Sequence, residues 1–408
     1  MKIALVSQEY PPETARGGIG SQTYVKATGL AALGHEVYVI SRSVDAERHE
    51  KMNGDICVIR IPGMDDKLPE MTETVQWITH SVSVAAEIEA LLKRMHIDII
   101  DFPEWAAEGY VYLLNRRAWN TVPVVIQLHG PLVMFAHTMG WPKMDTEFYR
   151  VGTNMEATCI QLADAVYTSS TCSADWVRNH YNVQMKDIPV IHAGVDTTLF
   201  TPQPAAKNNY PTIIFIGKIV VNKGIKELVE AVINLAEEFP GLKLRIIGSG
   251  DEKLIAKLKE KARGAGAENL LEFAGYIHKE NLPVELSRAH VFAMPSYYEG
   301  GPGFVFLEAM ACGIPVIGCN GSGVEEIVSS GKNGLLVPPQ NIQALNEALR
   351  LILKNTDLLN EMGTNAREYV LQNADSNKSL SKLEAFYQAV VQKRAEINVN
   401  DNRTVTTI

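Results

Sequence analysis

The sequence predicts two doubly wound α/β domains. Three observations carry that prediction. Short, nearly continuous β-branched runs recur, such as IIFI at 213–216 and PVVI at 123–126. Longer stretches with helical periodicity lie between them, and a proline-rich break falls near the middle of the chain.

A strand covered on both faces of a parallel sheet carries apolar side chains on both, so it loses polar–apolar alternation. By that criterion strands are expected at 2–7, 36–41, 56–61, 97–102, 122–128, 164–169 and 188–192. A second series follows at 212–217, 243–248, 270–274, 290–294, 314–318 and 334–337. Residues 224–238 typify the intervening helices, with Ile225, Leu228, Val232 and Leu235 at helical spacing. The segment TPQPAAKNNYP, 201–211, has no apolar run and reads as the linker. The expected division is a first domain over 1–200 and a second over 212–376. A terminal helix at about 377–395 should pack back on the first domain, and 396–408 reads as a polar tail. Ligands of such sheets bind beyond the carboxyl ends of strands, at helix N-termini. A cleft between the two domains is therefore the expected active site.

Bulk properties narrow the function. A chain of 408 residues suits two or three domains. A hydrophobic content of 46% with 21% charged residues excludes global disorder. A formal net charge of −9 argues against a nucleic-acid partner, which needs clustered Lys and Arg. The five cysteines are odd in number and form no C-x-x-C pair, which suits reduced thiols in the cytoplasm. The opening MKIALVSQEYPPE has too short an apolar run for a signal-peptide core and reads as a first strand. No apolar stretch reaches the ~18–20 residues of a membrane span.

The densest chemistry lies in SYYEGGPGFVFLEAMACGIPVIG, 296–318. A strand ending at Met294 leads into a glycine-rich turn and then a helix from about Phe304, stopped by Gly313 and Pro315. Gly300, Gly301 and Gly303 permit close approach of backbone to a ligand. The helix start at Gly303, Phe304 and Val305 offers free N–H groups and a positive dipole end to a diphosphate. Glu299 precedes the turn and Glu308 lies one turn into the helix. One carboxylate can then meet a sugar and the other a ribose. The plain alternative is a glycine-rich loop with two solvated glutamates.

This stretch resembles the Glu–seven–Glu signature of the retaining family-four glycosyltransferases, which have the two-domain GT-B fold. Further blocks resemble that family in the same order. They are GGIGSQTYVKATGLAALGHEV (17–37), QLHG (127–130), HAGVDTTLFTP (192–202), FIGKIVVNKGIKELVEA (215–231), LRIIGSGDE (244–252), LEFAGYI (271–277) and GVEEIVSSGKNGLLVPP (323–339). The resemblance implies sugar transfer from a nucleotide sugar, a UDP-sugar ahead of a GDP-sugar, with retention of configuration and no metal or other cofactor. It implies that Glu299 contacts the donor sugar, Glu308 the ribose, and Lys218 and Lys223 the diphosphate. Gly18 would lie by the phosphates and His129 near the reacting centre. Two lysines suit a leaving group that gains negative charge.

Three departures stand out. Eight residues separate Glu299 from Glu308, and Pro302 removes a backbone donor from the turn. Either the extra residue displaces the acid or it bulges outward; the second is expected, leaving Glu299 in place directly after the strand end and its Ser–x–x lead. Lys218 stands where the family usually has Arg, and HAG replaces PNG at 192–194.

The acceptor is expected on the first domain, as a small molecule or glycan ahead of a lipid, because no basic amphipathic helix is evident. In DFPEWAAEGY, 101–110, Asp101, Glu104 and Glu108 offer carboxylates to sugar hydroxyls. Trp105 either stacks on a sugar ring or packs in the core. The apolar segment 131–144 reads as an acceptor lid or as plain packing. A GT-B epimerase or phosphorylase, or a non-catalytic nucleotide-sugar-binding protein, would share these features. GGIG at 17–20 is not G-x-G-x-x-G, so a dinucleotide oxidoreductase is not expected.

Overall fold

The computed structural model describes residues 1–14, 18–45, 47–63, 71–117, 120–182, 187–192 and 194–405, with side chains through 397. Gly17 and Ala193 of the quoted motifs lie outside the described residues. The chain divides into two compact units, Met1–Gly194 with Asn377–Ile408, and Val195–Ser376.

The first unit runs β1 (Lys2–Val6), α1 (Gly18–Ala32), β2 (Glu36–Arg42), β3 (His49–Asn53), β4 (Ile56–Ile61), α2 (Glu73–Arg94), β5 (Ile99–Pro103), α3 (Tyr110–Asn115), β6 (Val124–Leu128), α4 (Leu132–Met139), α5 (Glu147–Leu162), β7 (Ala165–Thr168) and α6 (Thr171–His180). Its sheet has the spatial order β3-β4-β2-β1-β5-β6-β7, parallel except for β3. Every side chain of β4, β5 and β6 is buried, as a sheet with both faces covered requires.

The second unit runs β8 (Thr212–Ile216), α7 (Ile225–Asn234), β9 (Lys243–Ile247), α8 (Glu252–Gly264), β10 (Leu271–Gly275), α9 (Leu282–Arg288), β11 (Val291–Ala293), α10 (Phe304–Ala311), β12 (Val316–Cys319), β13 (Gly334–Val337), α11 (Ile342–Lys354) and α12 (Thr356–Asn373). Its sheet is parallel throughout, in the order β10-β9-β8-β11-β12-β13. One core serves the unit, with Ile214, Phe215, Leu228, Phe292, Phe306 and Met310 all fully buried. The last helix, α13 (Ser376–Val405), returns to the first unit. There Leu380, Leu383, Tyr387 and Val390 share a core with Ile3, Leu5, Val39 and Leu30.

Four expectations need correction. Residues 188–192 form no strand; Val190 makes only a single bridge to Thr168. The antiparallel strand β3, sequence HEKMN, was not anticipated, because all five residues are exposed and carry no apolar pattern. The unit boundary lies at Gly194–Val195 instead of 201–211. That expected linker is bonded into the second unit. The Gln203 N–H donates to Ser287 Oγ at 3.1 Å, Lys207 Nζ to the Ala289 carbonyl at 2.6 Å and the Asn208 N–H to the Arg288 carbonyl at 3.1 Å. Finally, α13 carries the chain helically through Val405, well into the expected tail. No described helix is long and apolar enough to cross a membrane.

Candidate active site

In the second unit two loops are locked together at the carboxyl end of the sheet. Gly224 closes the turn between β8 and α7 with φ +69°, a left-handed conformation that favours glycine. A Cβ there would sit 2.0 Å from the Pro295 carbonyl oxygen, so the turn lies directly against the segment after β11. The Asn222 carbonyl accepts from the Tyr297 N–H at 2.8 Å and from Ser296 Oγ at 3.1 Å. This joint brings Lys223 Nζ to 2.5 Å from Glu299 Oε1.

The opposite side of the glycine turn is fixed as well. The Gly323 N–H donates to the Glu299 carbonyl at 2.8 Å, and a Cβ on Gly323 would lie 2.5 Å from Gly301 Cα. Pro302 is buried. The extra residue therefore does not bulge outward; the turn is packed between neighbouring loops. Strand β11 ends at Ala293, and the segment anchored at Ser296 and Tyr297 carries the chain from there to Glu299.

Gly303 (φ +69°) immediately precedes helix α10, and no side chain caps the helix start. The N–H groups of Phe304 and Val305, both partly exposed, stand at this open N-terminus. Glu308 is buried, and Lys279, from the turn Lys279–Asn281 after β10, reaches 3.6 Å from its Oε1. Burial pushes the Glu308 carboxyl above its ordinary range, and Lys279 pulls it back. Lys218 is exposed, and among the described residues no ion pair joins it to either carboxylate. The structure thus brings Lys223 to Glu299 and Lys279 to Glu308. Lys279 was not anticipated, although it lies just beyond the quoted block LEFAGYI.

The first unit carries the other expected residues. Gly18 is exposed at the start of α1 with open space about it, so no crowding demands glycine there. The crowded position is Gly20, whose Cβ would lie 2.9 Å from Glu9 Cβ. His129 follows β6. Its N–H donates to both oxygens of Glu104 at 2.7 Å, and the Gly130 N–H donates to Glu104 Oε1 at 2.5 Å. Burial and the nearby Lys26 push the His129 imidazole down to about 3, so it is neutral across the physiological range. Burial pushes Glu104 up to about 7, against the pull of its N–H donors.

The acceptor expectations for Glu104 and Glu108 need correction. Glu104 is 0% exposed and spent on backbone. Glu108, 1% exposed, accepts from the Gln8 N–H at 3.0 Å and pairs with His80 Nε2 at 3.0 Å. Asp101 is also buried; it accepts from Lys26 Nζ at 2.8 Å, from Tyr167 Oη at 2.6 Å and from Tyr387 Oη. Asp101, within β5, and Glu104, just beyond it, meet donors of the fold before they meet solvent, and Glu108, after the short turn Trp105–Ala107, is likewise used up by partners within the fold. Trp105 is partly exposed and packs edge-on against Trp77 and Phe135, with ring centroids at 5.7 and 5.5 Å. The segment 131–144 forms α4, anchored by Leu132, Val133, Met134 and Ala136, while Trp141 and Met144 remain exposed. Among the described residues no cluster of three or more His, Cys, Asp or Glu is placed to hold a metal ion.

Comparison with known proteins follows the same two halves. The model of the glycosyl transferases group 1 family matches residues 196–369, and that of glycosyltransferase family 4 matches residues 16–199. A GDP-mannose-dependent alpha-(1-6)-phosphatidylinositol monomannoside mannosyltransferase from Mycolicibacterium smegmatis is 28% identical over 91% of this chain and 94% of its own. A glycogen synthase from Mycobacterium tuberculosis is 25% identical over 92% of this chain and 91% of its own. Among solved structures, sucrose-phosphate synthase from Thermosynechococcus elongatus superposes with a TM-score of 0.81 and 24% identity, covering 96% of this chain and 99% of that one. That likeness establishes the shared fold.

Proposed function

The chain belongs to the group 1, family 4 glycosyltransferases of GT-B fold, which use nucleotide-sugar donors, and from that premise we propose a retaining, metal-independent hexosyltransferase. The observation that supports this reading best is the Lys223–Glu299 contact at 2.5 Å beside the uncapped start of α10. A cation, a helix N-terminus and a carboxylate at one place match the three parts of a sugar diphosphate.

In this reading Lys218, Lys223 and the N–H groups of Phe304 and Val305 receive the diphosphate. They stabilise the charge that grows on it as the glycosidic bond breaks. Glu299 accepts from hydroxyls of the donor sugar, and Glu308, paired with Lys279, accepts from the ribose. His129 is neutral and serves as a hydrogen-bonding group for the sugar, not as a proton donor. The leaving phosphate takes the acceptor's proton, and attack comes from the face it vacates.

The base is the finer question. A UDP-sugar is the first expectation from sequence, whereas the relative whose name states a donor uses GDP-mannose. The acceptor is a sugar or a glycolipid. A thermal-shift panel of UDP-, GDP- and ADP-sugars separates the donors, since a ligand at 100 times its Kd adds about 2.7 kcal/mol of stability. Turnover with acceptor should persist in chelator and give a product of retained anomeric configuration by NMR. An inverted product, or activity lost in chelator and restored by a divalent ion, defeats the mechanism.

A further inference from the structure

The four residues His129–Leu132 are held from below by two buried carboxylates on different elements. Glu104, beyond β5, accepts three N–H contacts from His129 and Gly130. Glu156, on α5, accepts from the Leu132 N–H at 2.8 Å and from the Tyr181 hydroxyl. Both acids are 0% exposed, and no described ion pair reaches either. Two buried, unpaired carboxyls are costly, and here both are aimed at the main chain of one turn. An arrangement of that kind fixes backbone geometry, and the side chain this turn presents is His129.

We propose that Glu104 is the positioning residue of the His129 turn, touching neither substrate, and that turnover requires it ionised. This rests on the reading of His129 as a group at the reacting centre. The ionised carboxylate uses both oxygens as acceptors. Protonation turns one oxygen into a donor that faces the His129 N–H, so the two-oxygen grip on that amide is lost. The group is set to titrate in the working range, because burial pushes it up to about 7.

The neighbouring His129, Glu156 and Tyr181 are shifted away from that range. His129 is held far below this range by burial and by Lys26, which is itself bonded to Asp101 at 2.8 Å. Glu156 is pushed well above the ordinary carboxyl range by burial and by the Glu104 charge. Its two bonds both end on Oε2, which leaves the unpartnered Oε1 to carry the proton. Tyr181 is raised as well, so it stays a hydroxyl donor. Turnover should therefore fall as pH drops through about 7, and the falling limb belongs to Glu104 and not to the histidine beside it.

The test is kcat against pH, from about 5.5 to about 8.5, with UDP-glucose and GDP-mannose in parallel, for wild type, Glu104→Gln and His129→Asn. Wild type should show an acid limb near 7. Glu104→Gln should lower kcat roughly 10- to 100-fold, lose the limb and leave donor KM within about twofold. His129→Asn should keep the limb on a reduced kcat. The same limb surviving in Glu104→Gln overturns the proposal. The second readout is the Gly130 amide resonance of the wild-type protein, which serves if the variant fails to fold or neither donor turns over. It should titrate near 7, and an amide that does not move across that range overturns the proposal equally. Wild-type kcat in His129→Asn would instead remove the role given to His129, while the amide titration still decides the role of Glu104.

Discussion

Lys223 and Glu299 neutralise one another, yet in the proposed reading of the site a sugar diphosphate asks them to part. The phosphate competes for the lysine, and the sugar hydroxyls compete for the carboxylate. The side chains are 26% and 14% exposed, so the pair is partly screened and contributes about 1 kcal/mol. A nucleoside diphosphate without its sugar must break the pair and gives Glu299 nothing in return. Glu299→Gln therefore has two opposite effects. Turnover should fall by roughly two orders of magnitude or more, because hydroxyl contacts made in the transition state are weakened. Binding of plain UDP or GDP should tighten about 3- to 10-fold, the equivalent of that ~1 kcal/mol. Calorimetric titration of the variant with each diphosphate decides the matter. Unchanged or weaker diphosphate binding would show that the 2.5 Å contact does not restrain Lys223.

At the scale of elements, the site depends on how closely the turn before α7 meets the segment after β11. Gly224→Ala would place a methyl carbon 2.0 Å from the Pro295 carbonyl in a left-handed conformation. The expected cost is about 3 kcal/mol or more, by denaturant unfolding, together with loss of nucleotide binding as Lys223 moves from Glu299. Gly18→Ala is the contrast. Its site is open, so stability should stay within ~0.5 kcal/mol and any change in donor affinity reports the site alone. Equal destabilisation of both variants would contradict this distinction. These elements also mark what the sequence discloses. Strands such as IIFI and the glycine turn at 300–303 are legible because burial on two faces and positive φ restrict residue choice locally. The exposed strand β3 is not legible, since its partner β4, and not its own pattern, makes it a strand. Glu104 and Glu108 mislead for a related reason. A carboxylate reads the same in sequence whether it faces a sugar or a backbone N–H just beyond β6 or β1, and only the β1-β5-β6 neighbourhood tells the two apart. Lys279 is silent because its meaning depends on Glu308, far away in sequence and 3.6 Å away in space.

Over the whole molecule, the chain completes its first unit last. Residues 195–376 have their own core, whereas the sheet of the first unit takes Leu380, Leu383, Tyr387 and Val390 from α13. Burial of four such side chains is worth about 6–12 kcal/mol at ~1.5–3 kcal/mol each, comparable with the ~5–15 kcal/mol that stabilises a typical domain. Tyr387 adds a polar tie through its hydroxyl to the buried Asp101, which also holds Lys26. A chain ending at Ser376 should therefore keep a folded second unit and lose the first. Hydrogen exchange resolved by peptide tests this directly. Protection should collapse across β1, β2 and β5 while β8, β9 and β11 remain protected. Tyr387→Phe isolates the polar part: it keeps the ring in the core, removes one donor to a buried carboxylate, and should cost about 1–3 kcal/mol, confined to the first unit. Truncation that left β1 and β2 protected would show that α1 and the sheet close this core without α13. Exchange rising equally in both units of the Tyr387→Phe protein would show instead that they do not unfold separately.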